Sequence, residues 1–115
     1  MDEKGQSQWQ KLVWDESRKN EPETIHIAEC NGKKICLHKF KGQWYGFAYL
    51  CPHSSGILAE GEVDPKGNVI CPVHGYRYNI RTGNNSTGEG FYLPHWPIQE
   101  KADGLYVLMP EKTIL

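Results

Sequence analysis

The chain has no run of 18 apolar residues, so no membrane-spanning helix is expected. It has no run of five like charges, and its formal net charge is −1. A nucleic-acid or membrane-surface partner is therefore not expected. The N-terminal stretch MDEKGQSQWQ has no apolar core, so a secretory signal is not expected and the cytosol is the expected compartment. There is no internal repeat, no low-complexity tract, and no 11-residue window with a helical apolar stripe. Cysteine is sparse: four residues, which without a secretory signal suggest metal or reduced thiols rather than a disulfide framework.

What is present is β-forming. The 115 residues suit a single domain, with 38% hydrophobic residues, 12 Gly and a rich set of Trp and Tyr. Gln8 to Val13 reads as a first strand, and the polar residues 15–23, which include Pro22, as a loop or short helical turn. Thr24 to Cys30 and Lys33 to Phe40 flank Asn31-Gly32, the strongest short hairpin signal, because both residues tolerate φ > 0. Lys41-Gly42 marks a second turn and Gln43 to Tyr49 a third aromatic-rich strand.

Residues 50–90 then fill with Gly, Pro and Asn around short apolar runs at Asn68-Val69-Ile70 and Tyr76 to Ile80. Sheet pattern resumes near Leu93 and closes with Gly104 to Met109 after an Asp103-Gly104 turn. The expected plan is an all-β antiparallel sandwich or barrel carrying a loop-rich insertion at about 50–90.

Two motifs lie in that insertion: Cys51-Pro52-His53 and Cys71-Pro72-Val73-His74. Each supplies one thiolate and one imidazole, a proline after the cysteine to stiffen the loop, and a nearby glycine (Gly56, Gly75) that lets the backbone turn sharply. Taken singly, a cysteine is most often a small buried hydrophobe and a loop histidine a solvated one. As a paired set, two Cys and two His fit tetrahedral zinc or a Rieske [2Fe–2S] centre. Zinc fingers usually pair like with like, whereas here each half mixes the two donors, which favours the cluster. A structural zinc module remains the alternative.

The segments CPHSSGILAEGEV (51–63) and CPVHGYRYNIRTGN (71–84) resemble the two cluster loops of Rieske ferredoxins, and LPHWPIQEKADGLYVLMP (93–110) resembles their proline loop and last hairpin. The resemblance implies a Rieske iron–sulfur fold, with Cys51 and Cys71 on a buried iron and His53 and His74 on an outer, solvent-facing one. It implies a one-electron carrier between an NAD(P)H-dependent reductase and a terminal oxygenase or similar acceptor, monomeric and without substrate chemistry of its own. The alternative it offers is a small subunit of a nitrite-reductase-like complex, although that subunit commonly lacks the four ligands. High-potential relatives carry an extra cysteine in each loop; Gly56 and Val73 stand at those positions, and Tyr76 replaces a serine that donates to a cluster sulfide. A potential near the low end of the Rieske range, about −150 mV, is expected. Tyr78 matches a tyrosine that bonds a ligand sulfur in the high-potential branch and would raise it.

Elsewhere, Cys30 and Cys36 should point to opposite faces of their hairpin as free thiols, since Cys30 would pair with Lys33 and Ile27 with Cys36. His26 and His38 read as surface residues. His95 beside Trp96 reads as a surface or partner-contact residue, and Glu60, Glu62 and Asp64 as a solvated acidic loop or docking patch.

Overall fold

The computed structural model describes residues 7–18, 21 and 24–110. The polar N-terminal residues 1–6, and residues 19, 20, 22 and 23 of the expected 15–23 loop, lie outside the described residues. Among the described residues the strands are β1 (Ser7–Lys11), β2 (His26–Cys30), β3 (Lys33–Phe40), β4 (Gln43–Ala48), β5 (Glu62–Val63), β6 (Asn68–Ile70), β7 (Arg77–Asn79), β8 (His95–Trp96), β9 (Ile98–Lys101) and β10 (Gly104–Pro110). Helix is limited to 3-10 turns at Glu16–Arg18 and Leu58–Glu60 among the described residues.

The strands form three antiparallel sheets, in the orders β1-β10-β9, β2-β3-β4-β8 and β5-β6-β7. The hairpins form where the turn chemistry directs them. Asn31 and Gly32 take φ of 55° and 78°, and Lys41 and Gly42 take 52° and 82°. Two successive positive φ values match the right-handed twist of the flanking strands. Cys30 pairs with Lys33 and Ile27 with Cys36, as the turn requires.

Two cores share β3. One gathers Phe47, Leu58, Val69, Tyr78 and Leu93 with Cys36. The other gathers Leu37, Ile35, Ala28, Trp44, Leu105 and Val107 with Cys30. Successive side chains of a strand alternate faces, so β3 sends Cys36 to one core and Ile35 and Leu37 to the other. Both cysteines are buried free thiols on opposite faces. Burial pushes the Cys36 thiol up to about 12, and raises that of Cys30.

His26 and His38 correct their surface expectation: both are buried, at 5% and 4% exposure. His38 Nδ1 lies 3.0 Å from the Thr24 carbonyl oxygen. The His26 ring packs edge-on against Trp14, with centroids 5.1 Å apart, and beside Trp44 at 6.0 Å. The polar alternation of β2 hides this, because the covering indoles come from other segments.

Candidate metal centre

Strand β4 delivers the chain to Cys51, and β6 delivers it to Cys71. Each cysteine then opens the same six-residue turn. In the first, the Cys51 N–H donates to the Gly56 carbonyl at 2.8 Å and the Ser55 N–H to the Cys51 carbonyl at 2.9 Å. In the second, the Cys71 N–H donates to the Tyr76 carbonyl at 2.8 Å and the Gly75 N–H to the Cys71 carbonyl at 2.9 Å. The fifth residue of each turn is left-handed, Ser55 at φ 60° and Gly75 at 77°. Leu50 bridges Ile57 across the first turn as Ile70 pairs with Arg77 across the second. The histidines occupy different slots, third for His53 and fourth for His74.

The two turns face each other, with the Ser54 hydroxyl of the first against the Cys71 sulfur of the second and the two histidine rings side by side. Both sulfurs are buried: Cys51 is 2% exposed and Cys71 1%. The Tyr78 hydroxyl lies 3.4 Å from the Cys51 sulfur, and the Ser54 hydroxyl 3.4 Å from the Cys71 sulfur. Both hydroxyls donate when the sulfurs are thiolates. Burial pushes the Cys51 thiol up, but hydrogen bonds, that of Tyr78 foremost, outweigh it and leave it below its ordinary value. Burial and the neighbouring Cys51 raise the Tyr78 phenol, which keeps its proton.

The imidazoles sit outside the thiols, with His53 and His74 ring centroids 5.2 Å apart. His74 is exposed and His53 half-buried. His53 Nδ1 is buried without a hydrogen-bond partner. A buried imidazole nitrogen without a partner, in the same turn as a buried cysteine, is a group that a metal would satisfy. Among the described residues no three His, Cys, Asp or Glu side chains converge on one point. The donors stand instead as an inner thiol pair and an outer imidazole pair, the division used by a centre with two Cys on one iron and two His on the other. Gly56 completes the cradle: a Cβ there would lie 2.6 Å from Val73 Cγ2 and 3.0 Å from the Cys71 sulfur.

Other candidate residues separate from the site. Asp64 is not part of a solvated acidic patch, as its side chain is only 9% exposed. It accepts from the Lys66 and Asn68 N–H groups at 2.9 Å and from Arg77 at 2.8 Å, closing the β5–β6 turn and tying it to β7. Burial raises its carboxyl, and these bonds outweigh that and lower it. His95 is half-buried in β8, paired with Phe47, its Nδ1 3.2 Å from the Leu93 carbonyl oxygen. Sequence reasoning missed Ser54 and Phe91. Ser54 had a signal in its loop position; Phe91 had none, since only the fold brings it to 5.1 Å from the His53 ring.

The fold and its paired loops define a small all-β protein built around an iron–sulfur site. The chain belongs to the Rieske [2Fe–2S] domain family, whose model matches residues 8–92. Its cofactor is a Rieske-type [2Fe–2S] cluster, a centre that serves electron transfer.

It is 28% identical over 85 residues to the ferredoxin component of the alkene monooxygenase system of Xanthobacter autotrophicus, a match covering 74% of this chain and 68% of that protein. It is 28% identical over 82 residues to apoptosis-inducing factor 3 of Homo sapiens, covering 70% of this chain and 13% of that longer protein. Among solved structures it is similar to a chain in the complex of reduced oxygenase and oxidised ferredoxin of carbazole 1,9a-dioxygenase, with a TM-score of 0.73, 25% identity, and 93% and 97% of the two chains covered. The fold is also that of a protein described as an NADH-dependent nitrite reductase small subunit from Mycobacterium tuberculosis, with a TM-score of 0.73, 13% identity, and 94% and 98% covered.

Proposed function

We propose that Cys51 and Cys71 ligate the inner iron and His53 and His74 the outer one, and that the chain passes single electrons from an NAD(P)H-dependent reductase to a terminal oxygenase. The observation that carries this is the inner-thiol, outer-imidazole pairing, with a buried His53 Nδ1 that has no other partner. A bound cluster of this type supplies a one-electron couple. The chain's own groups do the rest. The two turns exclude water from the sulfurs, Tyr78 and Ser54 donate to them, and the exposed His74 puts an edge of the site at the surface. The cytosol and a monomeric state complete the reading; no helix among the described residues is long and apolar enough to cross a membrane. The complete donor set favours a carrier over a nitrite reductase subunit.

The purified chain should contain two irons and two acid-labile sulfides, with the brown-red colour of the cluster. Alanine at any of the four donor positions should remove the visible spectrum, whereas Cys30→Ser should keep it. One zinc and no sulfide in freshly made protein would overturn the assignment. Reduction by a flavoprotein reductase and reoxidation by an oxygenase test the partners.

A further inference from the structure

The two imidazoles are not equivalent, and the turn geometry says why. The third residue of each turn lies over the sixth residue of the other. In one direction Val73 sits over Gly56, which offers bare backbone. In the other, His53 sits over Tyr76, with ring centroids 4.3 Å apart and planes 26° apart, a stacked pair. Phe91, from the segment that leads into β8, reaches the same imidazole at 5.1 Å and 53°. Tyr76 and Phe91 also lie 6.2 Å from each other. His74 occupies the fourth slot, stands 6.1 Å from Tyr76, and is exposed.

We propose that Tyr76 and Phe91 are positioning residues that clamp the His53 ring and cover it, leaving His74 as the accessible imidazole of the centre. This rests on the assignment of both histidines as iron ligands. Aromatic pairs prefer offset or edge-on contact to a face-to-face sandwich, so the two contacts hold the ring plane of His53, whose Nδ1 is buried. His74 is held more loosely: its ring is exposed, with His53 at 5.2 Å and Tyr76 at 6.1 Å. The work done at Tyr76 is by its ring, so phenylalanine should replace it.

The test uses the cluster-loaded full chain and diethyl pyrocarbonate, with acylation of each histidine followed by mass spectrometry. His74 should label faster than His53. Tyr76→Ala and Phe91→Ala should each speed labelling at His53 by roughly two- to twelvefold, the range of one aromatic pair. Labelling at His74 should stay unchanged, and Tyr76→Phe should match the parent. Pulsed EPR of the reduced protein should show altered nitrogen couplings in the alanine variants alone.

Equal labelling of the two histidines in the parent protein overturns the clamp, as does a ratio that neither alanine variant moves. Should those variants fail to hold the cluster, the parent ratio and Phe91→Leu decide. A cluster whose EPR shows no histidine nitrogen coupling sinks the ligand assignment instead, so the two failures are distinct.

Discussion

The Tyr78 hydroxyl and the Cys51 sulfur lie 3.4 Å apart inside the core, with both residues closed to solvent. A hydrogen bond to a ligand sulfur draws charge from the cluster and favours its reduced form, so potential depends on such bonds. Tyr78→Phe removes the hydroxyl and keeps the ring. A bond contributing about 1 kcal/mol corresponds to roughly 40 mV for one electron. Protein-film voltammetry should show a decrease of that order in the variant. An unchanged potential would remove the tuning role.

Gly61 closes the 3-10 turn Leu58–Glu60 with ordinary backbone angles, φ −93° and ψ −152°. Its constraint is steric: a Cβ would meet the Ile70 carbonyl oxygen at 2.1 Å. Ile70 leads directly into Cys71, so Gly61→Ala pushes on the second candidate-donor turn. A loss of about 1–3 kcal/mol is expected. Thermal unfolding should register it, together with faster cluster loss to a chelator.

Asp64 serves three groups at once: Lys66 N–H, Asn68 N–H and Arg77. The pair with the half-exposed Arg77 contributes little alone. The backbone donors matter more, because Asp64→Ala leaves them without an acceptor. Urea unfolding should show a loss of about 1–3 kcal/mol, against a smaller one for Arg77→Ala. Equal losses would show that the ion pair, not the turn, is what Asp64 provides.

His26 gives a pH dependence of defined sign. Burial holds its pKa below the ordinary 6.5, and the Arg18 charge adds to this, with Glu21 opposing. The unfolded chain therefore binds a proton near pH 6.5 that the native chain resists. Stability should be full above that pH and decline as the pH falls through it towards the native value. His26→Phe should flatten this part of the profile of thermal midpoint against pH between about 8 and 5.5. A profile identical to the parent's would exclude His26 as its source.

The four candidate donors were legible because they occur as two compact motifs, each with its own proline. The β2–β3 register was legible because Asn31-Gly32 admits one turn geometry. The buried histidines were not, since the burial of His26 depends on Trp14 and Trp44, which local alternation does not report. Asp64 looked like a surface acid until Arg77 and Asn68 folded onto it. Ser54 and Tyr76 sat inside the motifs, but their contacts run between the two turns, and spacing along one chain does not show which slot faces which. Phe91 acquires its place only from the path of the chain into β8.

The two turns share a backbone and differ in which position carries the imidazole. Side-chain identity, not loop shape, therefore specifies the donor set. Ser54 matches the slot of His74, and Val73 the slot of His53; the first lies against the Cys71 sulfur and the second over Gly56. Moving a histidine by one residue within either turn would exchange one of these contacts for a new angle of attachment. This end of the molecule is in that sense a rewritable socket, open to altered donor geometries without redesign of the sheets beneath it.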